Sequence, residues 1–341
     1  MDYNIFAIVG FLFAAYAVVG NDALQTLGTF INSNKRLHWT VLYLFAASIL
    51  VVVFVYGYVT SGGDPAFDRL NRFGVENGGA VTGPAVEWYH ILPPLTLLFL
   101  TRLGIPVSTT FMVLTIFAST ANLQSMLIKS GLGYIVAFGV GGLTYAILAP
   151  TLERFFIKTK DQQYAAGWVV LQWMTTAYLW GVWLMQDFAN IFIFLPLEYV
   201  PVDGGGYMAT ISPIYAYGGL AAIAVFLAVT FANAGGPVQR ILKSKTSVTD
   251  IRSATIIDFM FGTILFVFKE MSDIPMSTTW VFLGLIAGRE YAIATIDKVR
   301  PIAATSKIVL SDAGKAIIGL IISVVLALGL PWLASQVTFG F

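Results

Sequence analysis

The chain has 341 residues, 57% of them hydrophobic and 11% charged, with a net charge of +1 and a mean hydropathy of +0.80. So little charge cannot cover a soluble protein of this length, and a balance so near zero excludes the basic surface that a nucleic-acid partner requires. There is no cysteine, which excludes disulfides, thiolate metal sites and cysteine nucleophiles.

Apolar runs of about 20 residues, the length that crosses a ~30 Å hydrocarbon core, recur from Ile5 to Leu333. They lack the alternation of a barrel strand, as between Ala316 and Leu330, so the expected fold is an all-α polytopic membrane protein. The first run, 5–20, follows a non-basic Met1–Asn4 segment and reads as a structural helix, not a cleaved signal. It pauses at Asn21-Asp22 and resumes to Ser33, the pattern of a broken membrane helix, whose irregular backbone must line a cavity or be covered by protein. Lys35 and Arg36 precede a second span, 37–59. Residues 61–83 are a polar, glycine-rich loop with Asp64, Asp68, Arg69, Arg72 and Glu76. The stretch 86–103 contains Pro93-Pro94 and ends at "GIPVSTT", and 111–127 resumes, which predicts a re-entrant hairpin with its tip at 106–110. Residues 134–156 form a span closed by Arg154, Lys158 and Lys160.

The order then repeats, which divides the chain into membrane repeats 1–160 and 161–341. Residues 168–184 are interrupted at Gln186-Asp187; a span follows within 207–233, then a basic loop with Arg240, Lys243, Lys245 and Arg252. Residues 256–268 lead into "KEMSDIPMSTTW", 281–292 complete a second hairpin, and 310–333 hold the last span. Asn21-Asp22 aligns with Gln186-Asp187 and Gln25 with Asn190, an offset of 165 (22 to 187); Ser108-Thr109-Thr110 aligns with Ser277-Thr278-Thr279, an offset of 169 (108 to 277). Internal symmetry of this kind is a trace of transporter folds. With each hairpin returning to its own side, the positive-inside rule gathers Lys35, Arg36, Arg154, Lys158, Lys160, Arg240, Lys243, Lys245, Arg252, Lys298, Arg300 and Lys307 on one, cytoplasmic face. Both termini are then outside, and the repeats have inverted topology.

Asp22 and Asp187 are the residues that demand an explanation, because an ionisable group inside an apolar stretch is costly unless compensated. One such Asp could be a helix cap; two at matched positions point to function. Each hairpin tip carries Pro-x-Ser-Thr-Thr before a helix. Ser108, Thr109, Thr110, Ser277, Thr278 and Thr279 could be only caps, but two such N-termini facing each other would offer hydroxyls, free N–H groups and positive dipole ends to an anion. Two carboxylates beside that anion would repel it at low dielectric, so they must be protonated or hold cations. With amide oxygens from Asn21, Gln25, Gln186 and Asn190 they suit a hard cation such as Na⁺. Arg102 and Lys269, near the tips, could draw anions inward or simply snorkel. His90 and the tryptophans 168, 173, 180 and 183 read as structural. No metal-spaced His/Asp cluster or nucleophile–base arrangement points to an enzyme, and the paired carboxylates count against an uncoupled channel.

At these residues the sequence resembles the inorganic phosphate transporter (PiT) family, which carries a Gly-Ala-Asn-Asp-Val-Ala-Asn-Ala type signature and a Pro-Val-Ser-Thr-Thr-His hairpin in each of two inverted repeats. Here the copies read "VGNDALQTLGT" and "LMQDFANIFIF", with hairpins "GIPVSTTF" and "DIPMSTTW". The resemblance implies a homodimeric carrier in the cytoplasmic membrane that moves inorganic phosphate with Na⁺ or H⁺ and needs no cofactor, its aspartates, amides and Ser/Thr tips forming the substrate and cation sites; sulfate permeases are the near alternative. The departures are Gln186 for the family Asn, Gln25 for the later Asn, and Phe111 and Trp280 for the family His.

Overall fold

The computed structural model describes residues 4–78, 80–103, 105, 107–233, 250–271, 274–296 and 301–336; Pro106 and the basic residues Arg240, Lys243, Lys245, Lys298 and Arg300 lie outside the described residues. Helix α1 (Ile5–Asn21) starts at Asn4, whose side-chain oxygen accepts the N–H groups of Phe6 and Ala7, satisfying two donors that the helix itself leaves open. It gives way at Asp22 to α2 (Ala23–Ser33), with a bend of 48° between the two arms. Helix α3 (Trp39–Thr60) is apolar on all sides and leaves Val51, Val52, Val55 and Val59 on the molecular surface, the pattern of a helix whose surroundings are lipid.

The first hairpin departs from the predicted run. Its inward arm, α4 (Leu92–Arg102), carries Pro93-Pro94 in its first turn, where a missing N–H breaks no helical bond. Its outward arm, α5 (Thr109–Leu114), stops after six residues. The Ser119 hydroxyl then accepts the Asn122 N–H and begins a new helix, α6 (Thr120–Leu148). The predicted stretch 111–127 is therefore two elements, and the span expected from 134 begins at 120. After α7 (Arg154–Lys158), the second repeat runs through α8 (Ala166–Asp187), a four-residue α9 (Ala189–Phe192), α10 (Pro213–Ala232), a hairpin of α11 (Ile251–Met271) and α12 (Thr278–Ile296), and α13 (Ile302–Gln336). Among the described residues five helices are long and apolar enough to cross a membrane, six with the bent pair. The chain is an all-α polytopic membrane protein.

The two ends of the bundle differ. At one end the segment between α3 and α4, read from sequence as a loop, and that between α9 and α10, whose last strand falls at the start of the stretch 207–233, form a four-stranded antiparallel sheet: β1 (Val75–Asn77), β2 (Ala80–Thr82), β3 (Leu197–Pro201) and β4 (Tyr207–Ile211). Thr82 pairs with Glu198, so the sheet joins the two halves. At the other end Arg36 lies over the Tyr164 ring at 3.7 Å. Arg252 donates to the Phe156 carbonyl and the Thr159 hydroxyl, both at 2.7 Å, and pairs with Asp250. Arg252 is thus buried and not on the surface of a basic loop, but it draws the segments around 36, 159 and 252 to one end.

Helices α6 and α12 approach closely. A Cβ on Gly288 would lie 2.1 Å from the Phe138 carbonyl oxygen, and one on Gly284 would lie 2.3 Å from that of Tyr134. These contacts are with backbone, which cannot swing aside as a side chain can. Gly288→Ala should destabilise the protein by about 1–3 kcal/mol through overpacking, read as a lower melting temperature in detergent. Gly139→Ala, on the same α6 but with nothing within 4 Å, should leave the melting temperature unchanged or raise it.

Candidate functional site

The breaks of α1–α2 and α8–α9 and the tips of both hairpins converge in the middle of the bundle. Asp22, Asn21, Gln25, Gln186, Asp187, Asn190 and all six tip residues Ser108, Thr109, Thr110, Ser277, Thr278 and Thr279 are buried. Asp22 stands at the N-cap position of α2, yet its side chain makes no cap bond. Its Oδ2 instead accepts the Thr109 hydroxyl, and its Oδ1 accepts Asn21 Nδ2 at 2.5 Å and Gln25 Nε2 at 3.2 Å. Asp187 is held in the same way: Oδ2 accepts the Thr278 hydroxyl at 3.1 Å, and Oδ1 accepts Asn190 Nδ2 at 2.5 Å and the Thr110 hydroxyl at 3.4 Å.

The second threonines join the tips. Thr110 donates to the Met276 carbonyl at 3.0 Å and Thr279 to the Val107 carbonyl at 3.3 Å. Asn190 also donates to Thr110, and Gln25 to Thr279. The bonds Thr109–Asp22, Gln25–Asp22, Gln25–Thr279 and Thr279–Val107 in one half match Thr278–Asp187, Asn190–Asp187, Asn190–Thr110 and Thr110–Met276 in the other, so this part of the geometry follows the sequence offsets. Within each tip, the first threonine serves its own half's carboxylate and the second ties that tip to the opposite one.

The other predicted members take less symmetric places. Ser108 and Ser277 accept the Phe111 and Trp280 N–H groups, the helix-cap role, and keep their own O–H to donate. Asn21 reaches the Val107 carbonyl through Nδ2 and takes the Thr101 hydroxyl on Oδ1. Gln186, one methylene longer than Asn, turns its Nε2 to the Leu265 carbonyl on α11. That leaves Gln186 Oε1 and Asn190 Oδ1, on either side of Asp187 in the chain, buried with no hydrogen-bond partner among the described residues. An orphaned buried acceptor costs about 1–3 kcal/mol, and two flanking a carboxylate are oxygen ligands suited to a hard cation. Arg102 is exposed, and Lys269 pairs with Glu270 at 2.7 Å. His90 closes a capping box with Glu87 and stacks on Phe117 at 4.6 Å. Trp180 stacks on Trp183 at 4.9 Å and donates to the Ala46 carbonyl, so these aromatics pack the bundle.

Among the described residues two buried carboxylates lie outside the predicted set, Asp64 and Asp258. Asp258 on α11 accepts the hydroxyls of Thr29 on α2 and Thr176 on α8, each at 2.7 Å, and so ties together the helices that carry Asp22 and Asp187. The signal was available, since Asp258 stands in an apolar run. It escaped notice because the matching position in the first half is Tyr89, so symmetry does not mark it.

Fold and site together define a helical membrane protein built around a buried, pseudo-symmetric cluster of two carboxylates, amides and hydroxyls at broken helices. No family model and no curated protein matches the chain. Among solved structures it is similar to one described as the sodium-dependent phosphate transporter, with a TM-score of 0.59 over 98% of each chain at 14% identity. At that identity the likeness carries the fold.

Proposed function

We propose that the chain is a secondary carrier that moves inorganic phosphate across a membrane together with Na⁺. The observation that carries this reading is the pair of repeat-related carboxylates, each held by a hairpin-tip threonine, with unpartnered amide oxygens next to Asp187. The carboxylates and the amide oxygens of Asn21, Gln25, Gln186 and Asn190 hold the cations. The Ser/Thr groups of the two tips, where α5 and α12 begin, receive the anion. Anion and carboxylates are tolerable neighbours at low dielectric only when cations lie between them, so binding of one requires the other. The similar structure's description names both sodium and phosphate, and the family-like motifs agree with it. In the same reading the basic end is cytoplasmic, both termini are outside, residues 1–160 and 161–341 are inverted repeats, and the carrier is a homodimer in the cytoplasmic membrane.

The test is uptake of labelled phosphate and labelled sulfate into proteoliposomes of the purified chain, with and without inward Na⁺ and proton gradients. Phosphate should accumulate only under the Na⁺ gradient. Accumulation of sulfate alone moves the cargo to sulfate, dependence on the proton gradient alone replaces the cation, and uptake indifferent to both gradients makes the protein a channel.

A further inference from the structure

The two hairpin tips are fastened by different means. In the first, Asn21 on α1 donates to the Val107 carbonyl at 3.1 Å. The matching pair in the second half is Gln186 and Met276, but Gln186 gives its Nε2 to the Leu265 carbonyl, so that bond is missing from the second tip. Helix α6, which belongs to the first half, supplies another hold. Lys129 Nζ donates to the Ile274 carbonyl and the Ser130 hydroxyl oxygen accepts the Ser277 N–H, both at 2.8 Å. Ser130 is fully buried. One turn further on, a Cβ at Gly133 would lie 2.9 Å from Met276 Cε and 3.0 Å from Val281 Cγ2, so the lack of a side chain there lets α6 come up against the tip. The close approach of α6 to Gly284 and Gly288 continues the same contact along α12, and the bond at Ser130 stands at its inner end.

That bond falls where the anion-binding reading needs precision. The first N–H groups of a helix have no partner within it. At the start of α12, Ser130 takes that of Ser277, and the Ser277 hydroxyl and carbonyl take those of Trp280 and Val281, at 3.2 and 3.4 Å. The N–H groups of Thr278 and Thr279 meet no acceptor among the described residues, and they are the donors left for an oxyanion. On the other side of Ser277, the Met276 carbonyl accepts the Thr110 hydroxyl of the first tip. The Ser130 bond therefore lies between the contact that joins the two tips and the donors that remain open. Without it the Ser277 N–H would be a buried donor lacking an acceptor, which the tip can relieve only by shifting.

We propose that Ser130 is a positioning residue for the anion, fixing the second tip from α6 in place of the bond that Gln186 does not make. This rests on the oxyanion-carrier reading given above. The experiment measures initial rates of labelled phosphate uptake against phosphate concentration, under an inward Na⁺ gradient, for the full chain in proteoliposomes. Ser130→Ala should raise KM by about fivefold or more, while maximal rate per folded protein stays within about threefold. Ser130→Thr, which retains the accepting oxygen, should stay within about twofold of the wild-type KM. Ser130→Cys, close to serine in shape but a weak acceptor, replaces Ser130→Ala should that variant fail to fold. A wild-type KM in the variant that lacks the oxygen overturns the proposal, even with a lowered melting temperature, because Ser130 would then serve packing alone. So does a Ser130→Thr protein as defective as Ser130→Ala, which would assign the effect to the space at 130 and not to the hydrogen bond. If the wild type itself accumulates no oxyanion, the carrier reading falls and this proposal with it; if the wild type transports and Ser130→Ala matches it, this proposal alone falls.

Discussion

Asp22→Asn and Asp187→Asn should each abolish concentrative phosphate uptake while leaving yield, gel-filtration profile and melting temperature close to wild type. The geometry separates charge from scaffold at both positions. In Asp22→Asn, Oδ1 can still accept from Asn21 and Gln25, and the new Nδ2 can donate to the Thr109 hydroxyl, which accepts as readily as it donates. In Asp187→Asn, Oδ1 keeps Asn190 and Thr110, and Nδ2 faces Thr278. The network can therefore survive with its proton directions reversed, and only the negative charge is lost. A cap would tolerate that exchange, since Asn caps helices as well as Asp, but neither aspartate makes the bonds of a cap. A cation site would not tolerate it, because the carboxylate offsets the cation's desolvation. The measurement is uptake against a phosphate gradient at varied Na⁺. An unchanged rate and unchanged Na⁺ dependence in either variant would make that aspartate structural and remove the coupling mechanism from its half.

How far the sequence could be read depended on whether a feature was local or repeated. Helix breaks at Asp22 and Asp187, the helical fold and the Thr-Thr tips were legible, because an acid or a glycine-proline interruption inside an apolar run has few physical explanations. The short arm α5 was not, since Phe111–Leu114 and the start of α6 form one apolar run and only the Ser119 cap separates them. The strand cap was hidden for a different reason. Strands of three to five residues leave too little periodicity to find, and the pairing that joins the two strand hairpins, Thr82 with Glu198, spans more than a hundred positions. Arg69 and Asp64 looked like ordinary loop charges, yet both are buried. Gln186 was placed correctly next to Asp187 in sequence, but its extra methylene lets the amide nitrogen reach the Leu265 carbonyl instead, a choice no pattern could reveal.

The tip threonines should divide by task. Thr109→Val and Thr278→Val each remove a hydroxyl that donates to a buried carboxylate, at Asp22 and Asp187 respectively. Hydrogen bonds to charged groups contribute about 1.5–3 kcal/mol, so losing one from a cation-holding carboxylate should raise the Na⁺ concentration for half-maximal uptake by about 10-fold or more. Valine matches threonine in shape, so packing is preserved, and Thr109→Ser, which restores the hydroxyl, should return the value to within about twofold, the residual reflecting the missing methyl. Thr279→Val acts elsewhere, on the bond that joins its tip to the opposite one through the Val107 carbonyl, and Thr110→Val acts mainly on the matching 3.0 Å bond to the Met276 carbonyl, its contact with Asp187 being the longer one at 3.4 Å. Those variants should chiefly raise the phosphate KM, because the anion needs both tips at once. The Na⁺ titration and the phosphate titration, run on the same four proteins, separate the two layers. If Thr109→Val and Thr278→Val shift only the phosphate KM, their hydroxyls serve the anion directly, and the carboxylates do not depend on them to hold a cation.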